Sequence, residues 1–174
     1  MTPKPEFSRP VRVEHINRIG GDTHIEADEA ERVALMRRFG LLALDRLEAR
    51  YSLTEAEDGI VARGHVDATL SQACVATGQP VPERIATDFT LRFVVEDATP
   101  AEEEEMELDA QDVDTVGYDG LSIDMGEAVA ETMALTMAPY PRAPDADATL
   151  REAGVLSEEQ ASPFAALLAL KKDV

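Results

Sequence analysis

Three carboxylates near the start of one predicted helix are the first candidates for chemistry. At about 100° per residue, Asp124 and Glu131 are nearly eclipsed and Glu127 lies about 60° away. The three make a stripe that could hold a divalent cation for hydrolysis. They lie opposite the apolar positions Val129, Ala130, Met133, Ala134 and Met137, where a solvated face belongs. Acids at a helix start also suit its dipole. The solvated reading is favoured; a metal-dependent hydrolase or nuclease built on Asp124, Glu127 and Glu131 is the rival.

Cys74 is the one cysteine of the chain. It could be a nucleophile only beside a base in an electropositive setting. Strand parity places it with Val66 and Leu70, so a buried, inert thiol is expected. His15, His24 and His65 fall on predicted strands with charged neighbours, as surface histidines commonly do. One Cys and three scattered His do not supply the ligands of a structural zinc site. The sequence has no Gly-rich phosphate loop, no dinucleotide fingerprint, no His-Glu-x-x-His helix and no nucleophile elbow. No catalytic residue, metal or cofactor is expected, and the chain reads as a binding protein rather than an enzyme.

The elements that would carry these residues follow from periodicity. Val11 to Arg18 alternates at its start and predicts an edge strand, followed by Gly20-Gly21-Asp22 and a short strand at Thr23–Glu26. Asp28 with Glu31 forms a capping-box signature for a helix to about Phe39, with Ala30, Val33, Met36 and Phe39 inward and Gly40 as its stop. Period-two patterns then span Leu44–Leu53, Ile60–Cys74 and Arg84–Val95. Their apolar sets include Leu47, Ala49, Tyr51 and Leu53, then Val66, Ala68 and Leu70, then Ile85, Phe89, Leu91, Phe93 and Val95. A second helix begins near Asp124 and ends before Pro139 and Pro141. Arg142 to Gly154 reads as irregular. The expected fold is α+β: an antiparallel meander of about five strands with two main helices on one face. Residues 1–174 are expected to form a single domain.

Charge is unevenly spread along the 174 residues, whose net is −19. Residues 1–95 hold 12 basic and 15 acidic side chains, whereas residues 96–174 hold 4 and 20. The second part therefore carries −16 and repels phosphate, so a basic protein is the electrostatically sensible partner and RNA an indirect one. Residues 98–114, with the run Glu102, Glu103, Glu104 and Glu105, hold little to bury and predict a mobile acidic loop, either a solvated linker or a partner contact. In the C-terminal segment, residues 155–174, Ser162 and Pro163 suit a helix start and predict a short terminal helix. Phe164, Leu167 and Leu168 would share one face, with Lys171 and Lys172 in the last turn. That helix either docks on its own domain or enters a partner's groove. No apolar run approaches the ~20 residues that span a bilayer, and the start of the chain does not read as a signal peptide. A lone cysteine suits a reducing compartment, and the cytoplasm is expected.

Three stretches together resemble the YceD family of large ribosomal RNA subunit accumulation proteins. They are Cys74-Val75-Ala76-Thr77-Gly78-Gln79-Pro80-Val81 with the strand to Val95, Ile123 to Glu131 leading to Leu135, Pro139 and Pro141, and the ending Ser-Pro-Phe-Ala-Ala-Leu…Leu-Lys-Lys. The resemblance covers roughly Leu44 to Lys172. Many family members carry Cys-x-x-Cys where this chain has Cys74 and Thr77, so no paired-thiol chemistry carries over. The resemblance implies a bacterial ribosome-biogenesis factor that supports accumulation of 23S ribosomal RNA, with a large-subunit ribosomal protein or precursor particle as partner. It implies no catalytic residue. An acidic chaperone of a basic ribosomal protein is a further alternative.

Overall fold

The alternation of Leu47, Ala49, Tyr51 and Leu53 does build a strand, and its neighbours follow in register. A computed structural model describes residues 5–18, 21–96 and 114–155. Its elements are β1 (Pro10–Arg12), β2 (Thr23–Glu26), α1 (Glu29–Phe39), β3 (Ala43–Ala56), β4 (Gly59–Ala73), β5 (Pro80–Val95), β6 (Asp114–Tyr118), β7 (Ser122–Asp124), α2 (Met125–Thr136) and α3 (Ala146–Glu152). The main sheet has the order β2-β3-β4-β5-β6, and β1 pairs with β7 in a separate two-stranded ribbon. The class is α+β with a mostly antiparallel sheet, as the patterning predicts.

On the inner face, Leu47 lies opposite Ala68, Ala49 opposite Val66 and Tyr51 opposite Gly64. A register shift between Leu44 and Arg46 breaks the strict alternation, and this lets both Leu44 and Leu47 be buried although they lie three positions apart. The helices α1 and α2 add Leu35, Val129 and Met133 to the same core as these strand residues. Burying each such side chain is worth roughly 1.5–3 kcal/mol.

The structure departs from the sequence expectations at four places. Val13–Arg18 is a 3₁₀ helix instead of strand, and only Pro10–Arg12 pairs. Val13 and the buried Ile16 lie three apart, which matches the three residues per turn of that helix. The fifth strand of the sheet is instead β6, and it runs parallel to β5, with Leu91 opposite Asp114 and Val95 opposite Tyr118. Helix α1 packs Met36 and Phe39 against the core as expected, but it buries Leu35 instead of Val33, which is 40% exposed, and leaves Ala30 exposed. Within the region expected to be irregular, Ala146–Glu152 forms α3. Both helix signals were sound. Asp28 Oδ1 accepts from the Glu31 amide at 2.8 Å while Glu31 Oε2 accepts from the Asp28 amide at 2.9 Å, and Gly40 ends the helix at φ 67°.

Two compact units share the chain. One comprises Met1–Ser71 and Pro82–Met137 and holds the core just described. The other comprises Gln72–Val81 and Ala138–Val174, where Cys74, Ala143 and Ala146 form a small core of their own with Ala76 and Val81 packed against it. The turn is tied to the following segment by the Val75 amide, which donates to Pro141 O at 2.9 Å, and by Gln72 Nε2, which donates to Ala138 O at 3.0 Å.

Gly126 supplies a sharp test of how α2 is seated. A Cβ there would stand 2.3 Å from the backbone oxygen of Phe7. Helix propensity alone favours Gly126→Ala by about 1 kcal/mol. The clash with backbone should outweigh this, and the variant should lose about 2 kcal/mol in denaturant unfolding. A gain in stability would show that α2 does not lie against the segment at Phe7.

Candidate functional site

The carboxylate stripe is present on α2, but its members are committed to different partners. Asp124 caps the helix, with Oδ1 accepting from the amides of Gly126 at 3.0 Å and Glu127 at 3.2 Å. The same oxygen accepts from the Arg9 amide at 2.7 Å, and Oδ2 accepts from Ser8 Oγ at 2.6 Å. Glu127 is held in a fork by Arg38, at 2.7 and 2.9 Å, and Glu6 takes a third bond from the same guanidinium at 3.0 Å. Glu131 stands 4.0 Å from Arg38. Burial and then the neighbouring Glu127 charge push its carboxyl above the usual range.

A second guanidinium continues this seam. Arg9 forks onto Glu31 at 2.6 and 2.8 Å, donates to Glu26 O at 2.9 Å and lies 4.6 Å from the centre of the Phe7 ring. Its forked bond to Glu31 holds the group more firmly charged than a free arginine. The stripe is therefore only in part the solvated face the sequence suggests: Glu131 is exposed, while Asp124 and Glu127 are held by partners. It ties the N-terminal segment and α1 to the start of α2. Among the described residues, no group of three or more His, Cys, Asp or Glu is placed to hold a metal ion.

Cys74 is buried, as its parity predicts. Its surroundings are not inert. The Ala143 amide donates to Sγ at 3.3 Å. With the Thr77 hydroxyl and the amides of Ala76 and Thr77 also donating, the thiol is brought down to about 7. Thr77 therefore turns its hydroxyl toward the Cys74 sulfur. Sequence parity could show the burial of Cys74, but not the convergence of turn amides on it.

The face of the sheet opposite the core carries crossing rows of charge. Glu26, Glu48 and Asp67 lie side by side on β2, β3 and β4, as do His24, Arg50 and His65. Like charges in one row are relieved by pairs along it. Arg46 binds Glu48 and holds that carboxyl below its usual range, and His65 Nδ1 meets Asp88 Oδ1 at 2.6 Å. Such exposed pairs are worth roughly 0–1 kcal/mol each. His24 and His65 lie on strands as expected, whereas His15 belongs to the 3₁₀ helix beside Glu14. The partner-facing candidates Glu102–Glu105 and Pro163, Phe164, Leu167, Leu168, Lys171 and Lys172 lie outside the described residues.

Comparison with known proteins adds one decisive observation. No curated protein and no solved structure matches the chain. A family model described as large ribosomal RNA subunit accumulation protein YceD matches residues 62–171, well over half of the chain. The chain belongs to the YceD family. With the family comes a role in accumulation of the RNA of the large ribosomal subunit. The YceD match takes in Cys74, Asp124, Glu127 and the terminal segment as far as Lys171, while Arg9 and Arg38 precede it. Among the described residues, no helix is long and apolar enough to cross a membrane.

Two outcomes follow from this geometry. Asp124→Ala should remove a cap and two tethers and lower stability by about 2–3 kcal/mol, and millimolar Mn²⁺ should leave the wild-type melting temperature unmoved. A rise in melting temperature with Mn²⁺ would revive a metal site. For Cys74, the lowered folded-state value means that the thiolate's contribution to stability is complete above the unfolded value near 9 and is lost as pH falls through about 7. Thiolate ultraviolet absorbance should accordingly titrate near 7, and Thr77→Val should move that midpoint upward. An unchanged midpoint in the variant would remove Thr77 from the account.

Proposed function

We propose that this YceD protein supports accumulation of 23S ribosomal RNA as a cytoplasmic, non-catalytic binding factor. Its partner is a basic large-subunit ribosomal protein, free or on a precursor particle, and RNA is engaged indirectly. The observation that carries this reading is the partition of charge, with −16 of the net −19 in residues 96–174. A surface of that sign draws a cationic protein by long-range attraction and repels bare phosphate. Phe164, Leu167 and Leu168 supply an apolar contact in this reading, and Glu102–Glu105 supply the steering charge.

The same charge favours a second reading, an acidic chaperone that holds a basic ribosomal protein before it joins the particle. The two differ in whether the partner is captured free or assembled. A metal-dependent hydrolase or nuclease draws no support from Asp124 and Glu127, whose oxygens are taken up by Ser8, Arg9 and Arg38.

The test is affinity capture of the tagged chain from growing cells at two salt concentrations, with bound protein and RNA both identified. Large-subunit proteins should be recovered at low salt and reduced at high salt, with RNA lost on nuclease treatment and the protein retained. Changing Glu102–Glu105 to Gln should slow association with the recovered partner by about tenfold at low ionic strength without moving the melting temperature. Recovery of RNA alone, or an unchanged association rate, would overturn the proposal.

A further inference from the structure

The outward face of β3 and β4 carries two arginines that the charge pairing of the sheet leaves over. Arg50 and Arg63 are exposed, and neither forms a hydrogen bond or an ion pair among the described residues. The carboxylates of this face have other partners. Arg46 holds Glu48, Arg92 holds Asp58 at 2.7 Å, and His65 lies 2.6 Å from Asp88 and 3.7 Å from Asp67.

Strand register brings the two arginines together. Arg50 stands opposite His65 and Ser52 opposite Arg63, so the four make a square on one face of an antiparallel pair. Arg50 and Arg63 occupy one diagonal of it, with stems roughly 7–8 Å apart. Like charges at that spacing repel, and an anion seated between them turns the repulsion into attraction. Two guanidinium forks with a hydroxyl beside them suit a phosphate. The only hollow alongside, of about 400 Å³ among the described residues, takes in Arg50 and His65 but also Glu48 and Asp67. An open sheet face of this kind does not enclose a small ligand, but an extended backbone can lie against it.

We infer that Arg50, Ser52 and Arg63, with His65 at the fourth corner, hold a backbone phosphate of RNA. The inference goes beyond the reading above, in which the basic protein brings the RNA, by giving the chain one local contact of its own. The acidic later part of the chain does not forbid it. At physiological salt, charges more than about 8 Å away are largely screened, whereas the two arginines touch the phosphate directly. Such a contact positions RNA without reading its sequence. Its affinity falls with salt, with a logarithmic slope of about −0.7 for the one phosphate neutralised.

The experiment follows arginine Nε–H and backbone amide NMR of the full chain during titration with a single-stranded RNA oligonucleotide at low ionic strength. A DNA oligonucleotide of the same sequence, inorganic phosphate and polyglutamate are the comparisons. RNA should shift Arg50, Ser52, Arg63 and His65 together, DNA should do the same, and inorganic phosphate and polyglutamate should bind more weakly. Arg50→Gln with Arg63→Gln should weaken RNA binding about tenfold while the unfolding midpoint stays in place, since both side chains are exposed. Arg37→Gln, which removes an exposed charge from α1, should leave binding as it was. Several results would overturn the inference: no binding, an unchanged affinity of the double variant, or an equal loss in Arg37→Gln. Tighter binding of inorganic phosphate or polyglutamate, or saturable RNA binding that leaves the four residues unmoved, would do so as well. So would carboxylates of residues 97–113 found against both guanidinium groups in the RNA-free chain. Capture of large-subunit proteins does not depend on this contact, so its failure leaves the partner reading standing.

Discussion

The carboxylate of Asp124 is the interaction on which the rest of this structure depends. It accepts four hydrogen bonds, two from the first turn of α2 and two from the segment at Ser8 and Arg9. One side chain thus satisfies orphan amides of a helix start and fixes the chain that lies against it. Helix α2 needs such a fixture, because its buried residues run from Met125 through Met133 and its own polarity offers little to orient it. Once its start is set, Gly126 passes close beneath Phe7, and Val129 and Met133 meet the inner face of the sheet. The two forks, Arg9 on Glu31 and Arg38 on Glu127, then act as side stays around this point.

This arrangement also explains how a chain of such negative charge keeps an ordered centre. In the described body, arginine and carboxylate are matched at short range, in a forked geometry that favours the charged form of both. The excess of carboxylates belongs to the later part of the sequence. Arg9 and Arg38 spend their attraction on Glu31, Glu6 and Glu127, which hold the ordered centre together.

Much of the fold was legible because the strands are long and half-buried. Leu47, Ala49 and Tyr51 show a period of two that only a sheet with one wet face produces. The capping box at Asp28 and the left-handed Gly40 marked both ends of α1. What failed did so for local reasons. Val13 and Ile16 are spaced for a 3₁₀ turn, yet Val11 and Val13 imitate a strand. In β6, Thr115, Val116 and Tyr118 are obscured in the sequence by the acids that precede them. The seam was half visible: the cap at Asp124 could be read, but Arg9 and Arg38 are remote in sequence and their forks arise only from tertiary packing. The lowered value of Cys74 was invisible for the same reason, since its principal donor, the Ala143 amide, is 69 residues away.

The ribbon of β1 and β7 has a consequence for synthesis on the ribosome. Ser8 and Asp124 are 116 residues apart, so the N-terminal strand emerges long before its partner exists. At the ordinary pace of translation the interval is on the order of 6–20 s. The hairpins of β2 to β4 can close within microseconds of release, whereas Phe7, seated against Gly126, must wait with its apolar surface uncovered. Closure of the N-terminal segment is thus a late event, timed by the emergence of residues 122–136. A nascent chain halted before that point would carry an unfinished core with its most buried aromatic residue in water.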